Sequence, residues 1–477
     1  MHRIHTQYIK TSSDLITPVQ AYLNIRKQFP ISVLLEAADY HGRENHFSFI
    51  AFDPLLTIEL KHNSLRFVLP GSIETVSPDK GPDSFLSSFQ NILNQLSYDP
   101  QIPEICQPNF IGYSQYDMIE YIEDISLTNS SRFNTHTFPL LSFQLFKYVI
   151  IFDHFYNQLY ITYHTLEDIQ DRKAMSLPEI IDLIKRPVLD NFPFQLAGAE
   201  TGDLKPSEFI SLVEKAKYHV HRGDVFQLVL SNGYQQPFSG DDFQVYRTLR
   251  NLNPSPYMFY FDLGDFHLLG SSPESQIKIN NQTAIIHPIA GTFPRTGNDI
   301  TDRETAKALL KDEKEMAEHV MLVDLARNDL SKHCTNVRLE FFHEIQYYSH
   351  VIHLVSEVRG DLIDPKNAIR VLFDTFPPGT LTGAPKYRAM ELIDAYEPAR
   401  RLFYGGSVGI IGLNGNSNLA IFIRSALSYH NMLYYQAGAG IVADSNPENE
   451  AREIVVKSNS IRRAIVDTVA RNLNNGG

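Results

Sequence analysis

The stretch LLSFQLFKYVIIFDHFYNQLYITYHT, residues 140–165, decides the fold class of the first half of the chain. It consists of apolar and aromatic runs with a polar turn between them, and the segments at 31–40 (ISVLLEAADY) and 46–62 (HFSFIAFDPLLTIELKH) are similar in composition. Apolar and aromatic runs bounded by polar turns are typical of antiparallel strands. The first 185 residues are therefore predicted to be β-rich.

A less regular segment follows this region. KRPVLDNFPFQLAGAETGDLKPS, residues 185–207, contains three prolines and several turn residues. Such composition is typical of a connection between larger units. We therefore divide the chain into an N-terminal β-rich region (1–185), a connecting stretch (186–206) and a second domain (207–472).

The second domain begins with a predicted helix and a predicted strand. Ser207 is expected to cap the helix and Gly223 to end it. DVFQLVLS, residues 224–231, is expected to be a strand on which Gln227 is a polar group on a largely apolar face. A hairpin is then expected to turn at Asn280 and Asn281.

Helices and further strands complete the domain. A long helix is expected to start near Thr301 or Asp302, and a final helix to have Asn446 as its cap and Pro447 at its first position. The apolar runs GSVGIIGL, NLAIFIRSALSYH and MLYYQAGAGIVA between them are predicted to be strands. The fold class is therefore α+β, with antiparallel sheets and helices packed outside them.

Composition excludes several classes of function. The chain has 477 residues and a formal net charge of −13, and it lacks the cationic runs that nucleic-acid binding needs. No apolar segment approaches the roughly 20 residues that span a bilayer, which predicts a cytoplasmic protein. Cys106 and Cys334 are too few for a disulfide framework and are expected to be buried packing groups. No Walker, G-x-S-x-G or H-E-x-x-H motif occurs.

Two acidic segments point to a metal. In DEKEMAEHVMLVDLARNDL, residues 312–330, Glu315 and Glu318 share one helix face, as Glu450 and Glu453 do on the last helix. If the two faces meet, Mg²⁺ is the ion whose preference for carboxylate oxygen fits them. The alternative is a solvated acidic face beside a buried one, which is how most charge runs behave.

Four further features are consistent with a ligand site, and two of them, the 377–386 loop and His353, also have a simpler interpretation. PPGTLTGAPK, residues 377–386, is a loop whose backbone N–H groups suit an anion, or an ordinary turn. AGAG, residues 437–440, allows a ligand to approach the backbone closely. Arg424 in the apolar run NLAIFIRSAL needs a carboxylate partner. His353 in SHVIHLVSEV has the pattern of a buried core residue or of a catalytic one.

Several of these segments together resemble a known family. GDVFQLVLS, NPSPYMFYF, SSPE, PIAGTFPR, EMAEHVMLVDLARNDL, SHVIHLVS, PPGTLTGAPK, YGGSVG, IRSAL and AGAGIVADSNPENE occur in the order found in chorismate-utilising enzymes. Within that family the chain is most similar to the large subunits of anthranilate synthases. The catalytic resemblance spans roughly residues 205–470, and LITPVQAYLNIRKQFPISVLLEAAD in the first half also resembles the start of those subunits.

The resemblance implies a large β-sandwich of two antiparallel sheets, partly shared by the N-terminal region. It also implies Mg²⁺-dependent amination of chorismate at C2 with loss of water, and then elimination of pyruvate to give anthranilate. Glu318 and Glu453 would bind Mg²⁺ directly, and Glu315 and Glu450 would act through its water ligands. Lys457 would balance the charge of these four carboxylates.

The resemblance also assigns roles around the substrate. His353 and Thr380 would orient or protonate the leaving group, Glu315 would help the hydroxyl to depart, and Glu274 would be the base for pyruvate elimination. The groups that would hold the enolpyruvyl carboxylate are Tyr404, Arg424, Gly438, Ala439 and Gly440.

Two positions separate this chain from relatives with other products. Isochorismate and salicylate synthases carry lysine where this chain has Gln227, whose amide cannot act as a base. Aminodeoxychorismate synthases carry a nucleophilic lysine where this chain has Ala290. The alternatives left open are an aminodeoxyisochorismate synthase and a non-catalytic regulatory relative that binds a ligand.

A partner and an effector are implied as well. A separate glutamine amidotransferase subunit would supply ammonia, and tryptophan would inhibit. The residues expected to contact tryptophan are Glu36, Ala37, Pro256, Tyr257 and Met258. Ala37 stands where a serine is usual, which would weaken inhibition through the loss of a hydrogen bond worth about 0.5–1.5 kcal/mol. His287 and Phe293 are further departures from the family pattern.

Overall fold

The computed structural model describes residues 1–37, 46–134, 137–167, 169, 173–188, 192–347 and 351–475. The strands are β1 (His2–Ser12), β2 (Ile31–Glu36), β3 (Phe47–Lys61), β4 (Ser64–Leu69), β5 (Ser72–Val76), β6 (Leu96–Tyr98), β7 (Asn109–Ser114), β8 (Leu141–Asp153), β9 (Gln158–Leu166), β10 (Phe194–Leu196), β11 (Thr201–Gly202), β12 (Gln227–Gly240), β13 (Tyr257–Leu263), β14 (His267–Ser272), β15 (Ser275–Asn280), β16 (Thr283–Ile286), β17 (Ile289–Pro294), β18 (Cys334–Tyr347), β19 (Val351–Leu362), β20 (Gly383–Ala384), β21 (Ser407–Gly412), β22 (Ser417–Ile421), β23 (Ser425–Tyr429) and β24 (Met432–Ile441). The helices are α1 (Pro18–Ile25), α2 (Pro82–Asn94), α3 (Ile119–Ile122), α4 (Leu177–Ile184), α5 (Pro206–Arg222), α6 (Phe243–Leu252), α7 (Asp299–Leu309), α8 (Glu313–Ser331), α9 (Ala368–Asp374), α10 (Gly379–Thr382), α11 (Lys386–Tyr396) and α12 (Pro447–Asn475).

The strands form two antiparallel layers that share the long pair β3–β8. One layer runs β1–β9–β8–β3–β2–β13–β14–β23–β24–β12, and it uses the second half of β8. The other runs β4–β3–β8–β7–β21–β22–β15–β16–β19, and it uses the first half of β8. The prediction of an α+β fold built on antiparallel sheets is therefore confirmed.

Alternating side chains explain why both faces of each layer are apolar. On β13, Phe259 and Phe261 point into a cluster that also contains residues of β7, β21 and β22, between the two layers. Met258 and Tyr260 point the opposite way, into a cluster shared with helices α1, α5, α6, α11 and α12. A strand buried on both sides needs apolar residues at successive positions, which is why YMFYFDL has no polar alternation.

The N-terminal half contributes strands to both layers. β2 lies between β3 and β13, and β7 lies between β8 and β21. The predicted boundaries at 185 and 206 stay predictions, but backbone hydrogen bonds join the regions on either side of them.

Some local signals were correct and others were off by a few residues. Asn446 Oδ1 accepts the N–H of Asn449 at 2.9 Å, as expected of the cap of α12. Ser207 is not a cap, because Pro206 already begins α5 and Lys205 is its N-cap residue. Gly223 ends α5 in the left-handed region, as predicted.

The hairpin between β15 and β16 turns one residue later than predicted. The turn residues are Asn281 and Gln282, with φ of 47° and 66°, and Asn280 still pairs with Thr283. Two successive residues with positive φ give the turn a backbone twist that matches that of the strands.

The long acidic helix expected from Thr301 or Asp302 is two helices. α7 begins at Asp299, with Asn298 as its cap, and ends at Leu309. Asp312 then accepts the N–H of Glu315 at 3.1 Å, as a residue at a helix start does, and α8 begins. The first acidic residues of the run therefore start a helix instead of continuing one.

The sequence suggested that Arg424 lies inside a strand, but in the structure it lies between two strands. The chain leaves β22 at Ile421 and enters β23 at Ser425, and Arg424 between them has a φ of 48°. PPGTLTGAPK likewise contains a single helical turn, α10, instead of an open loop. Cys106 and Cys334 are buried and free, as expected. Within the described ranges, no helix is both long enough and apolar enough to cross a bilayer.

Candidate active site

The glycines of AGAG line the candidate site on β24. Gly438 pairs with Ser231 and Gly440 with Val229 on β12. A Cβ on Gly438 would lie 2.6 Å from the hydroxyl of Tyr404, and a Cβ on Gly440 would lie 2.7 Å from Nε2 of Gln227. Both distances are shorter than a van der Waals contact, so a larger residue at either position would displace the side chain that faces it. Ala439, between them, points into the core with no exposed surface.

Gln227 links this strand to the acidic helix. Its side chain is buried and its Nε2 donates to Glu318 Oε1 at 3.4 Å. The amide therefore occupies the space between the glycine backbone and the predicted metal-binding face of α8. An amide there donates a hydrogen bond to a carboxylate but carries no charge and no basic nitrogen.

Glu274, in the SSPE segment after β14, is a partly buried acid of the site. Burial raises the pKa of its carboxyl to about 7, against the opposing effects of the nearby Thr380 hydroxyl and of the charges of Lys457 and Arg424. A carboxyl with a pKa near neutrality is half ionised at pH 7, which suits a group that must both accept and return a proton.

Arg424 lies close enough to Glu274 and His353 for its charge to affect the pKa of both. Burial lowers the pKa of the Arg424 guanidinium, and the charge of Glu274 opposes that effect. The backbone carbonyl of Arg424 accepts the N–H of Ser271 at 3.2 Å, which fixes the bend in the chain. The charges of Arg424 and Glu274 affect each other's pKa, and the carboxylate partner expected for Arg424 stays a prediction.

His353 is a neutral imidazole in this environment. Its Nδ1 lies 2.8 Å from the carbonyl oxygen of Gly291, so Nδ1 carries the proton and donates it. Burial and the charge of Arg424 together lower the pKa of His353 to about 4, against the opposing effect of its hydrogen bond to Gly291. A Cβ on Gly291 would lie 3.4 Å from Glu315 Oε2, which places Glu315 beside the same strand, β17.

The last helix approaches from the side of β24. Lys457 Nζ donates to the carbonyl of Gly438 at 3.1 Å and lies 2.7 Å from Glu453 Oε1. The side chains of Lys457 and Glu453 are 49% and 45% exposed, whereas Glu450 is buried. Tyr404 is also buried, and burial raises the pKa of its phenol.

These carboxylates fit a hard divalent cation by their chemistry, although they do not form a closed cage. Glu318 lies beside Gln227 next to β24, and Glu450 and Glu453 lie on α12, which packs on β24. Among the residues that the structure describes, no three His, Cys, Asp or Glu side chains are grouped closely enough to hold an ion. Mg²⁺ is held in proteins by one or two carboxylates and keeps several water ligands, so its binding does not need a closed cage of side chains. The Mg²⁺ prediction stays a prediction.

The residues predicted to bind an effector line a separate cavity. This cavity has a volume of about 430 Å³ and lies between the two layers, with walls from β2, β3, β13, β15, β21 and β22. Its lining includes all the predicted effector residues, namely Glu36, Ala37, Pro256, Tyr257 and Met258. That tryptophan occupies this cavity stays a prediction.

Two residues beside that cavity were missed by the sequence analysis. Arg250 Nε lies 2.9 Å from Glu36 Oε2, and the hydroxyl of Tyr246 donates to the same oxygen at 2.7 Å. Both lie four residues apart on α6, so their shared helix face was the available signal. His287, unexplained from the sequence, lies 3.0 Å from Glu357 Oε2 on β19. Nothing in the structure explains Phe293.

Comparison with known proteins gives the same result as the motifs. A family model described as chorismate binding enzyme matches residues 35–463. The chain is 36% identical to anthranilate synthase component 1 of Thermus thermophilus, with 98% of each chain covered. It is 34% identical to that of Aquifex aeolicus, over 96% of this chain and 94% of that protein.

Solved structures agree. Anthranilate synthase component I from Streptococcus pneumoniae is similar with a TM-score of 0.77 and 30% identity, over 94% of this chain and 98% of that one. The menaquinone-specific isochorismate synthase from Escherichia coli shares the fold, with a TM-score of 0.73, 18% identity and coverage of 97% and 94%. The family match and the relatives both span nearly the whole chain, and the chain therefore belongs to the chorismate binding enzymes.

Proposed function

We propose that this chain is the large subunit of an anthranilate synthase. In the proposed reaction, ammonia adds at C2 of chorismate and the C4 hydroxyl leaves as water, which gives aminodeoxyisochorismate. Loss of the C2 proton and cleavage of the C3–O bond then give anthranilate and pyruvate. The observation that carries the proposal is the similarity, over nearly the full length, to proteins named anthranilate synthase component 1.

The glycine backbone and the buried cation would hold the substrate. Gly438 and Gly440 present backbone without side chains, and Arg424 supplies a positive charge with little competition from water. A charge-assisted pair with the enolpyruvyl carboxylate would anchor the ring at that end. Tyr404, whose hydroxyl faces Gly438, would donate to the same carboxylate.

Proton transfers would be divided between two groups. Glu274, with a pKa of about 7, is the base that would take the C2 proton when pyruvate leaves, and Thr380 would hold the ionised form in place. His353, whose Nδ1–H is held by Gly291, presents its other nitrogen as an acceptor, so it would orient the leaving hydroxyl more than protonate it. Glu315, beside Gly291, would share that task.

The residues that would hold Mg²⁺ are Glu318 and Glu453 directly, with Glu315 and Glu450 through water. A bound Mg²⁺ would act as a Lewis acid that neutralises the ring carboxylate and the charge that develops as the hydroxyl leaves. Lys457, at 2.7 Å from Glu453, balances part of the acidic charge and would exchange that contact for one with the bound substrate.

Gln227 supports ammonia as the nucleophile. A water nucleophile needs a base to remove its proton, and the amide of Gln227 cannot provide one. Neutral ammonia needs no such base. We infer that a separate glutamine amidotransferase subunit supplies ammonia, and that free ammonia can replace it.

Tryptophan is the effector that we propose for the cavity between the layers. Its amino group would approach Glu36, whose pKa burial raises against the opposing effects of Arg250 and Tyr246. Because Arg250 already lies 2.9 Å from that carboxylate, the amino group must share it. Together with Ala37 this predicts inhibition that is present but weak.

One experiment separates the alternatives. The purified chain is mixed with chorismate, ammonium and Mg²⁺, and anthranilate fluorescence and product mass are followed. Fluorescence with release of pyruvate supports the proposal. A non-fluorescent aminated product identifies an aminodeoxyisochorismate synthase, and unchanged chorismate identifies a regulatory relative that only binds its ligand.

A further inference from the structure

A buried ion pair behind the candidate active site lies outside the sequence motifs described above. Glu397 and Arg401 lie just after α11, four residues apart, and only 4% and 3% of their surfaces are exposed. Arg401 Nη2 lies 2.6 Å from Glu397 Oε1, and Arg401 Nε lies 2.9 Å from Glu397 Oε2. Two parallel charge-assisted hydrogen bonds to one carboxylate fix the orientation of both side chains.

The guanidinium also binds the backbone of two segments that form the site. Arg401 Nη1 donates to the carbonyl of Leu381 at 2.5 Å, and Nη2 donates to the carbonyl of Val229 at 2.8 Å. Leu381 follows Thr380 in the chain, and Val229 is the partner of Gly440 across β12 and β24. One side chain therefore joins α10 to the strand opposite the glycines.

Arg401 also contacts the aromatic residue of the site. Its guanidinium carbon lies 5.6 Å from the ring centroid of Tyr404 and 5.0 Å from that of Tyr116. These distances are within the range of a cation–π interaction. Because the hydroxyl of Tyr404 faces Gly438, a shift of the ring would move the donor away from the glycine backbone.

Glu397 binds the same pair of strands from the other end. Its Oε1 accepts from the backbone N of Ser231 at 2.9 Å and from the Ser231 hydroxyl at 2.6 Å. Gln436 Nε2 donates to that hydroxyl at 2.7 Å, and Ser231 pairs with Gly438. The Glu397–Arg401 pair therefore contacts the neighbours of both glycines.

We propose that the Glu397–Arg401 pair is a positioning element that sets the spacing between α10, the Tyr404 ring and β24, and thereby the affinity of the site for the carboxylate of its substrate. The inference rests on the proposed function, because the substrate whose affinity is set is chorismate. The pair itself touches protein groups and acts through Thr380, Tyr404 and the glycine backbone. Arginine is required, since lysine keeps the charge but cannot form the planar fork that reaches Glu397 and two carbonyls together.

The test is Arg401→Lys in the full chain, assayed with chorismate, ammonium and Mg²⁺. We expect the KM for chorismate to rise by at least about tenfold while thermal unfolding stays cooperative. A purely structural role would instead reduce the fraction of active enzyme, which lowers kcat and leaves KM unchanged. Glu397→Gln keeps an acceptor for Ser231 and removes only the charge, so its KM should lie between those of the wild type and Arg401→Lys.

Arg26→Lys is the matched control. Arg26 Nη1 lies 3.0 Å from both carboxylate oxygens of Asp241, and its guanidinium also lies against Phe243 and Tyr260. The KM of Arg26→Lys for chorismate should match that of the wild type. If Arg401→Lys folds and its KM is within about twofold of that of the wild type, the positioning role is refuted but the proposed function is not. If Arg401→Lys does not fold, an unchanged KM in Glu397→Gln overturns the inference instead. A wild type without turnover refutes the proposed function, and the positioning role with it.

Discussion

Replacing Glu274 by glutamine is expected to stabilise the protein above pH 7 and to stop the elimination of pyruvate. Glutamine has nearly the same shape and keeps a carbonyl oxygen as an acceptor beside Thr380. It cannot ionise, and it therefore removes both the cost of a buried charge and the base of the second chemical step.

The magnitude follows from the pKa. Burial raises the pKa of Glu274 from 4.5 to about 7. Between these two values the folded chain holds a proton that the unfolded chain has lost, so the stability of the wild type falls as the pH rises from 4.5 to 7. Above pH 7 the whole effect is present, and it amounts to about 3 kcal/mol.

The assay is urea denaturation of the wild type and Glu274→Gln at pH 5 and pH 8.5. The variant should gain up to about 3 kcal/mol more at pH 8.5 than at pH 5. Glu313→Gln, at an exposed position in the first turn of α8, is the control and should change stability by less than about 0.5 kcal/mol at both pH values.

Activity is measured on the same samples. Loss of a positioned base should slow pyruvate release by about 10²–10⁴-fold, and aminodeoxyisochorismate should accumulate and be visible by mass. A stability difference that is the same at both pH values would show that Glu274 ionises normally. Anthranilate formation at the wild-type rate would show that another group is the base.

Three further predictions concern other parts of the molecule. Gly438→Ala places a methyl group 2.6 Å from the Tyr404 hydroxyl and should raise the KM for chorismate at least about tenfold; an unchanged KM in steady-state kinetics would contradict the proposed carboxylate subsite. Glu318→Gln should raise the Mg²⁺ concentration needed for half-maximal activity by at least about tenfold, and turnover that persists after thorough chelation would rule out the metal. Ala37→Ser should lower the tryptophan concentration for half inhibition by about two- to twelvefold through one added hydrogen bond, whereas a wild-type curve flat to millimolar tryptophan would exclude the effector role.

The sequence correctly predicted features that depend only on residues close together in the chain, such as the ends of helices. Proline suits the first position of a helix, where Pro447 lies after the cap Asn446, and glycine tolerates the left-handed conformation that Gly223 adopts at the end of α5. The grouping of site residues came from motifs whose order along the chain is specific, and the contacts of Gln227 with Glu318 and of Lys457 with Gly438 join segments far apart in sequence.

The errors arose where two local preferences competed or where the partner was distant. An aspartate at position 312 could either continue a helix or cap one. In the structure it accepts the N–H of Glu315 and so caps α8. Arg424 lies in an apolar run that resembles one strand, but its carbonyl binds Ser271 and the run bends there. Glu397 and Arg401 gave no periodic or motif signal, because their partners on β12 are over 160 residues away.

The shared strands β3 and β8 have a consequence for attempts to divide this protein. A fragment starting at residue 207 would lose β2 and β7, and so would expose the hydrogen-bonding edges of β13 and β21 as well as the apolar faces that those strands cover. Unprotected edges of this kind promote aggregation. Expression of residues 207–477 alone should therefore yield insoluble material, and co-expression with residues 1–206 should restore solubility.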